Sequence, residues 1–356
     1  MDHRTTPVLR WLASVVLACG LAVAWLPPAH AATGLAELPA SADEGPIWVF
    51  YPSSSAAAPV QRGPFTLSLA EQGKPERGNG RLIVFSHGSG ANPWVMSDLA
   101  QTLVAAGFVV AIPEHQGDNW HDTSKIGPES WKLRPLEVSH AIDAVGRDAR
   151  FAPLLDLTQV GMFGFSAGGH TALSLAGGRW SRAGSLAHCE AHLAEDFAAC
   201  TGGTVALTGG WLDGIKKAIA MTVIRYKLTD TQSYSHTDPR ITAIIAGMPF
   251  AADFDMASLA SPSVPLGLIE AGQDVWLRPQ FHVGAVRAAC QTCELVADMP
   301  NASHGALLSP FPPGLSGNIL PLVADPAGFD RATEVPRLDQ RISAFFVAHL
   351  LAKSNP

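Results

Sequence analysis

Charged residues are scarce in this chain: 15% of its 356 positions, against 47% that are apolar. That balance excludes an intrinsically disordered protein and leaves ample material for a buried core. Basic residues are the scarcer kind, 24 Lys and Arg to 31 Asp and Glu, for a net charge of −7. The acidic balance argues against nucleic acid or an anionic lipid surface as a partner. No internal repeat is visible. No H-E-x-x-H spacing occurs, so His115, Asp118, His121 and Asp122 read as a solvated loop at the rim of a site and not as a metal centre. A single C-x-x-C, Cys290 to Cys293, has no second copy with which to complete a zinc cage.

Length of apolar run is also lacking. Trp11 to Leu26 is almost wholly apolar, but its roughly 16 residues fall short of the roughly 20 that span a bilayer. Arg4 and Arg10 precede that run as a positive n-region, and Ala29-His30-Ala31 followed by Ala32 forms a small-residue cleavage site. Together these predict a secretory signal over residues 1–31, cut after Ala31, and a secreted or periplasmic protein with no transmembrane segment after cleavage. A lipoprotein signal at Cys19, in Leu17-Ala18-Cys19-Gly20, is the lesser alternative, because the apolar run continues past the cysteine. Loss of Asp2, Arg4 and Arg10 removes a net charge of +1, so the −7 of the whole chain becomes −8. Five cysteines become four: Cys189, Cys200, Cys290 and Cys293. An even number in an exported chain suggests two disulfides. Closeness in sequence favours Cys189–Cys200 and Cys290–Cys293 among the three possible pairings.

What is present is an alternation of short apolar runs and helical patterns. The runs are Leu82–Phe85, Phe108–Ile112, Val160–Phe163, Ile241–Ala246, Val264–Ile269 and Glu294–Ala297. Most lack polar alternation, as expected of strands covered on both faces of a parallel sheet. Ile47–Tyr51 and Phe65–Leu69 are expected to start the sheet as antiparallel edge strands. Helices are expected over Trp94–Ala106, Glu137–Phe151, Ala167–Ala176 and Val335–Leu351. The pattern implies an α/β fold with a mostly parallel, doubly wound sheet. Residues 178–239 break the alternation and are too long for a structureless loop. They are expected to form a cap-like helical insertion within a domain spanning residues 32–356.

The chemistry concentrates at Gly164-Phe165-Ser166-Ala167-Gly168. A G-x-S-x-G between a strand and a helix forms a nucleophile elbow, in which a sharp turn exposes the serine beside a helix N-terminus. A serine needs a base, and in this order of elements the acid and then the histidine follow it. His304 comes after the last expected strand, and Asp274 follows Val264–Ile269 immediately; both are the assigned partners of Ser166. Asp253 and Asp255 are rivals for the acid, and Glu270 is a weaker one. Backbone N–H groups of Ala167 and of Ser89, in Ser86-His87-Gly88-Ser89-Gly90, are the expected oxyanion donors. Asn301-Ala302-Ser303 matches a glycosylation sequon next to the assigned base and is read as coincidence. Of Trp94, Trp120, Trp131, Trp211 and Trp276, some are expected to line an acyl pocket and most to pack the core or cap.

The segments FSHGSG, AIPEHQG, FGFSAGGH, AGQD and NASHG resemble the dienelactone-hydrolase-like and platelet-activating-factor-acetylhydrolase-like branch of the α/β hydrolases. The likeness runs from about Ile47 to the C-terminus and is poor across 178–239. It implies hydrolysis of carboxylic esters, often with short acyl groups, on a small-molecule or lipid-like substrate, with no cofactor and no metal. Two departures stand out. Phe165 precedes the serine where the family often has His, and Gly247 occupies the position at which acetylhydrolase relatives carry their acid. The second favours Asp274 and weakens the case for a phospholipid substrate. A serine nucleophile also argues against the dienelactone reaction itself, which uses cysteine. A lipase, polyesterase or peptidase on the same three residues, or a catalytically silent binding protein, are the alternatives.

Overall fold

A computed structural model describes residues 32–40, 44–312 and 320–351. The expected signal over residues 1–31, with Cys19, lies outside the described residues. The described residues form one compact unit.

Twelve strands are present among the described residues: β1 (Ala32–Leu38), β2 (Ile47–Ser53), β3 (Ala58–Arg62), β4 (Phe65–Glu71), β5 (Leu82–Ser86), β6 (Val109–Pro113), β7 (Val160–Phe165), β8 (Arg179–Trp180), β9 (Ile241–Gly247), β10 (Phe254–Asp255), β11 (Leu266–Ala271) and β12 (Glu294–Met299). Between and after them lie α1 (Ser97–Ala105), α2 (Pro128–Arg147), α3 (Ala167–Leu175), α4 (Arg182–His192), α5 (Phe197–Thr201), α6 (Asp213–Lys227), α7 (Val283–Ala289), α8 (Leu320–Val323) and α9 (Arg331–Leu350). Ten strands form one sheet in the order β12-β11-β9-β7-β5-β6-β2-β1-β4-β3. From β6 to β12 every pairing is parallel.

The central strands lack polar alternation because both faces are covered. On β5, Leu82 and Val84 pack with Val138, Ile142 and Leu173 of α2 and α3. Ile83 and Phe85 of the same strand pack on the opposite layer, with Leu99 and Leu103 of α1 and Ile342 and Phe346 of α9. Burial of such side chains contributes about 1.5–3 kcal/mol each, so this double layer dominates the stability.

The expected edge strands and one helix require correction. Neither strand is at an edge: β2, over Ile47–Tyr51, pairs antiparallel with both β1 and β6, and β4, over Phe65–Leu69, pairs parallel with β1 and antiparallel with β3. Strands β1 and β3 were not expected. Strand β1 is interior, between β2 and β4, but its small residues Ala32, Gly34 and Ala36 dilute the apolar pattern; β3 is the outermost strand, five residues long and largely exposed. Likewise α2 begins at Pro128, nine positions before the expected Glu137. A proline at the first helical position forfeits no hydrogen bond, and the added turns bury Ser130 and Arg134.

Residues 178–239 hold β8, α4, α5 and α6. Short strand β8 pairs antiparallel with β10. A disulfide joins Cys189 of α4 to Cys200 of α5, and a second closes Cys290 to Cys293 after α7. Asp196, between α4 and α5, is buried and bonded to His188 and to His282 at the start of α7, at 2.8 and 3.0 Å. At Gly203 the ring of Trp276 lies so close that a Cβ would stand 1.8 Å from it. The segment is therefore fastened to the loop that follows β11.

Candidate active site

Strand β7 ends at Phe165 and α3 begins at Ala167, which leaves Ser166 to make the whole turn. Its backbone sits at φ 58°, ψ −115°, a conformation a side-chain-bearing residue rarely adopts. The neighbouring glycines make the turn possible. A Cβ on Gly164 would stand 1.9 Å from the Gly168 carbonyl oxygen, and one on Gly168 would stand 1.8 Å from that of Ser86. The Ser166 N–H donates to the Gly247 carbonyl at 3.0 Å, and the Ser166 carbonyl accepts from the N–H groups of His170 and Phe250. The serine is thus pinned at the carboxyl end of the sheet, where strand ends in open α/β sheets present their ligands.

The loops after β11 and β12 bring two more side chains to it. His304 Nε2 lies 3.0 Å from Ser166 Oγ. On the other side of the ring, Nδ1 lies 2.6 Å from Asp274 Oδ2. Both Asp274 and His304 are buried. The free oxygen of Asp274 accepts the backbone N–H groups of Trp276 and Leu277, each at 2.9 Å. Those two bonds fix the carboxylate's rotamer, so the carboxylate in turn orients the imidazole. The Phe165 ring packs beside His304, with centroids 5.0 Å apart.

The rival carboxylates point elsewhere. Asp253 is buried against His170 Nε2, 3.2 Å away, on α3. Asp255 accepts from Ala257 N–H and pairs with Arg179. Glu270 pairs with Arg287. At Gly247 a Cβ would meet the Leu307 side chain at 2.4 Å, so that strand end has no room for an acid in this packing.

The turn from Ser86 to Gly90 passes beside the serine: a Cβ on Gly88 would touch Ser166 Cβ at 3.5 Å. What holds this turn was not foreseen. Asp118 is fully buried and accepts the Gly90 N–H at 2.9 Å, the Ser130 hydroxyl at 2.7 Å and the Ser89 hydroxyl at 3.3 Å. It also pairs with Arg134, which is fully buried, at 2.9 Å. Arg134 donates to the His87 carbonyl and to Ser130 Oγ. His115 reaches Ser86 Oγ through Nε2, and Glu137 through Nδ1. The expected solvated loop is therefore divided. His115 and Asp118 are interior, whereas His121 and Asp122 are exposed. Burial drives both His87 and His115 well below the usual histidine range, reinforced at His87 by the neighbouring His115 and then Arg134, and at His115 by Arg134, so both are neutral at pH 7. Burial alone would raise Asp118, but Arg134, Ser130 and the Gly90 N–H hold it below the ordinary carboxylate value. Ser130, Arg134 and Glu137 stand four and three positions apart, on one face of α2. That spacing was the available signal, obscured by placing the helix start at Glu137.

The tryptophans divide as well. Trp94 packs edge-on to Trp48, Trp131 stacks on His170, and Trp276 lies on Gly203. Trp211 is 84% exposed. Among the described residues no group of His, Cys, Asp and Glu is arranged to hold a metal ion, and no helix is long and apolar enough to cross a membrane.

Comparison with known proteins adds to this geometry. The family model described as platelet-activating factor acetylhydrolase, isoform II, matches residues 21–126. That stretch carries the Ser86–Gly90 turn and Asp118 but ends before Ser166. No curated protein matches the chain. Among solved structures, a ferulic acid esterase from Streptomyces cinnamoneus is similar with a TM-score of 0.59 at 15% identity, over 93% of each chain. Sheet order, strand–turn–helix elbow and this structural likeness agree: the chain has the α/β-hydrolase fold.

Proposed function

We propose that this protein is a secreted serine hydrolase that cleaves carboxylic esters, with Ser166 as nucleophile, His304 as base and Asp274 orienting the base. The observation that carries the proposal is the unbroken line from Ser166 Oγ through both ring nitrogens of His304 to Asp274 Oδ2, at 3.0 and 2.6 Å. Such a line lets a weak hydroxyl nucleophile lose its proton as it attacks. Ser166 Oγ bonds to the ester carbonyl carbon while its proton passes to His304 Nε2. The negative charge that forms on the carbonyl oxygen is met by the backbone N–H groups of Ala167 and Ser89. The tetrahedral species collapses, His304 gives the proton to the departing alcohol, and an acyl-enzyme remains. Water then attacks the acyl carbon, with His304 again taking and returning a proton, and the acid leaves.

The family match over residues 21–126 and the esterase neighbour support an ester substrate. Short acyl groups are the proposed class, and residues 178–239 act as a cap through their contact with the Asp274 loop. The two disulfides support an oxidising compartment. Ser166→Ala should abolish turnover of p-nitrophenyl acetate and labelling by a fluorophosphonate probe, while leaving thermal unfolding unchanged. Retained turnover in pure protein would refute the assignment. A panel of p-nitrophenyl esters graded in acyl length separates a short-chain esterase from a lipase or polyesterase.

A further inference from the structure

An amphipathic helix ordinarily turns its apolar stripe toward the core. Helix α6 does the reverse. Leu212, just before it, and Ile215, Ile219, Val223 and Tyr226 within it are spaced three or four apart, so they share one face. That face is in solvent: Ile219 is 61% exposed and Tyr226 85%. Trp211 extends the stripe at its N-terminal end. Ile224 is the buried residue by which α6 rests on the rest of the insertion. An exposed apolar strip of this length marks an interaction surface.

Charge identifies the occupant. Residues 211–228 contain Lys216, Lys217, Arg225 and Lys227 against a single carboxylate, Asp213, in a chain whose net charge is −7. Lys216 pairs with Asp213, and Arg225 with Glu190 across to α4. Lys217 and Lys227 make no ion pair among the described residues. Apposing two copies of α6 would bring like charges together, which disfavours a second copy of this chain. Exposed aromatic residues at both ends of an apolar stripe, with Lys216 and Lys227 along one flank, are the chemistry of a helix lying in a lipid headgroup layer. We propose that α6 docks the protein on an anionic lipid surface, lying in its plane with Ile215, Ile219 and Val223 inserted. The acidic balance of the whole chain conceals this, because a surface meets one helix and not the net charge. The docking does not depend on Ser166 chemistry and is measured without turnover.

The test is co-sedimentation with phosphatidylglycerol or phosphatidylcholine vesicles, using protein that begins at Ala32 so that the apolar run before it does not contribute. The wild-type chain is expected to bind phosphatidylglycerol vesicles more tightly than phosphatidylcholine vesicles, and less tightly as salt rises. Ile219→Asp/Val223→Asp should weaken that binding at least about tenfold with an unaltered unfolding temperature, since both side chains face solvent. Three results would overturn the proposal: no preference for phosphatidylglycerol, equal binding by the double variant, or a wild-type dimer that the double variant dissociates.

Discussion

Replacing Arg134 with Met removes the one cation that faces Asp118 in the interior, and the structure bounds the outcome. Asp118 keeps the Gly90 N–H and the Ser130 and Ser89 hydroxyls, but burial now dominates and raises its pKa. An unpaired buried charge costs about 3–5 kcal/mol. The penalty has a ceiling, because the carboxyl can take up a proton instead. Starting from the ordinary value of 3.8, protonation at pH 7 costs about 4 kcal/mol, at about 1.4 kcal/mol per pH unit. The variant's deficit should therefore be near 3–4 kcal/mol at pH 7 and shrink to about 2 kcal/mol at pH 5. The sign follows from proton binding: in the variant the folded state holds a proton that the unfolded state has released, so acid favours folding. The wild-type pair behaves oppositely, since a depressed carboxylate loses its contribution as pH falls through the folded value. Activity should fall too. The turn carrying the Ser89 N–H, a proposed oxyanion donor, would no longer be fixed at the His87 carbonyl, and losing one such donor costs about 10²–10³ in kcat. Urea unfolding at pH 5 and 7, with kcat and KM for p-nitrophenyl acetate, reads all of this. Wild-type kcat, or a stability deficit that does not shrink in acid, would refute the reasoning.

Other outcomes follow from the same coordinates. Asp274→Asn should lower kcat by about 10⁴ through loss of the imidazole's orientation, whereas Asp253→Asn should leave kcat of the folded protein near wild type; a comparable fall in both would remove Asp274 from its role. Gly168→Ala would set a Cβ 1.8 Å from the Ser86 carbonyl. It should lose both thermal stability and fluorophosphonate labelling, and normal labelling would show that the elbow can relax. Burial, together with the nearby Asp98 charge, pushes the Asp339 carboxyl up to about 8. The folded state therefore holds a proton between roughly pH 4 and 8 that the unfolded state lacks. This group's contribution to stability falls with rising pH in that window, by up to about 1.4 kcal/mol per unit. Asp339→Asn should raise the unfolding temperature at pH 8 more than at pH 5, and an equal change at both would remove the carboxyl as the cause.

How much was legible in the sequence varied with how local the constraint is. The elbow is set by neighbours two residues apart: Gly164 and Gly168 have no room for a Cβ, so the sequence displays the requirement directly. The central strands were equally open to reading, because two covered faces leave no polar alternation. The meeting of residues 166, 274 and 304 depends on loops that could be ordered along the chain but not measured from it. Asp118 and Arg134 escaped because a buried ion pair has the same letters as a solvated one. Only the fold brings the 118 loop under the Ser86–Gly90 turn. Helix α6 falls in the insertion that was expected to be helical, but sequence periodicity states that a helix has two faces, not which one looks inward.

Strand β1 has a structural role out of proportion to its seven residues. It pairs with β2 on one side and with β4 on the other, and in the sheet β3 is bonded to β4 alone. Within the sheet the β3–β4 hairpin reaches the remaining strands through β1, with one further bridge between Ser53 of β2 and Pro75 just after β4. Trimming residues 32–38, or fusing a bulky partner directly ahead of them, would disturb that pairing, leave the hairpin held chiefly by the packing of Phe65, Leu67 and Leu69, and expose the edge of β2. Tags for purification therefore belong at the other end of the molecule.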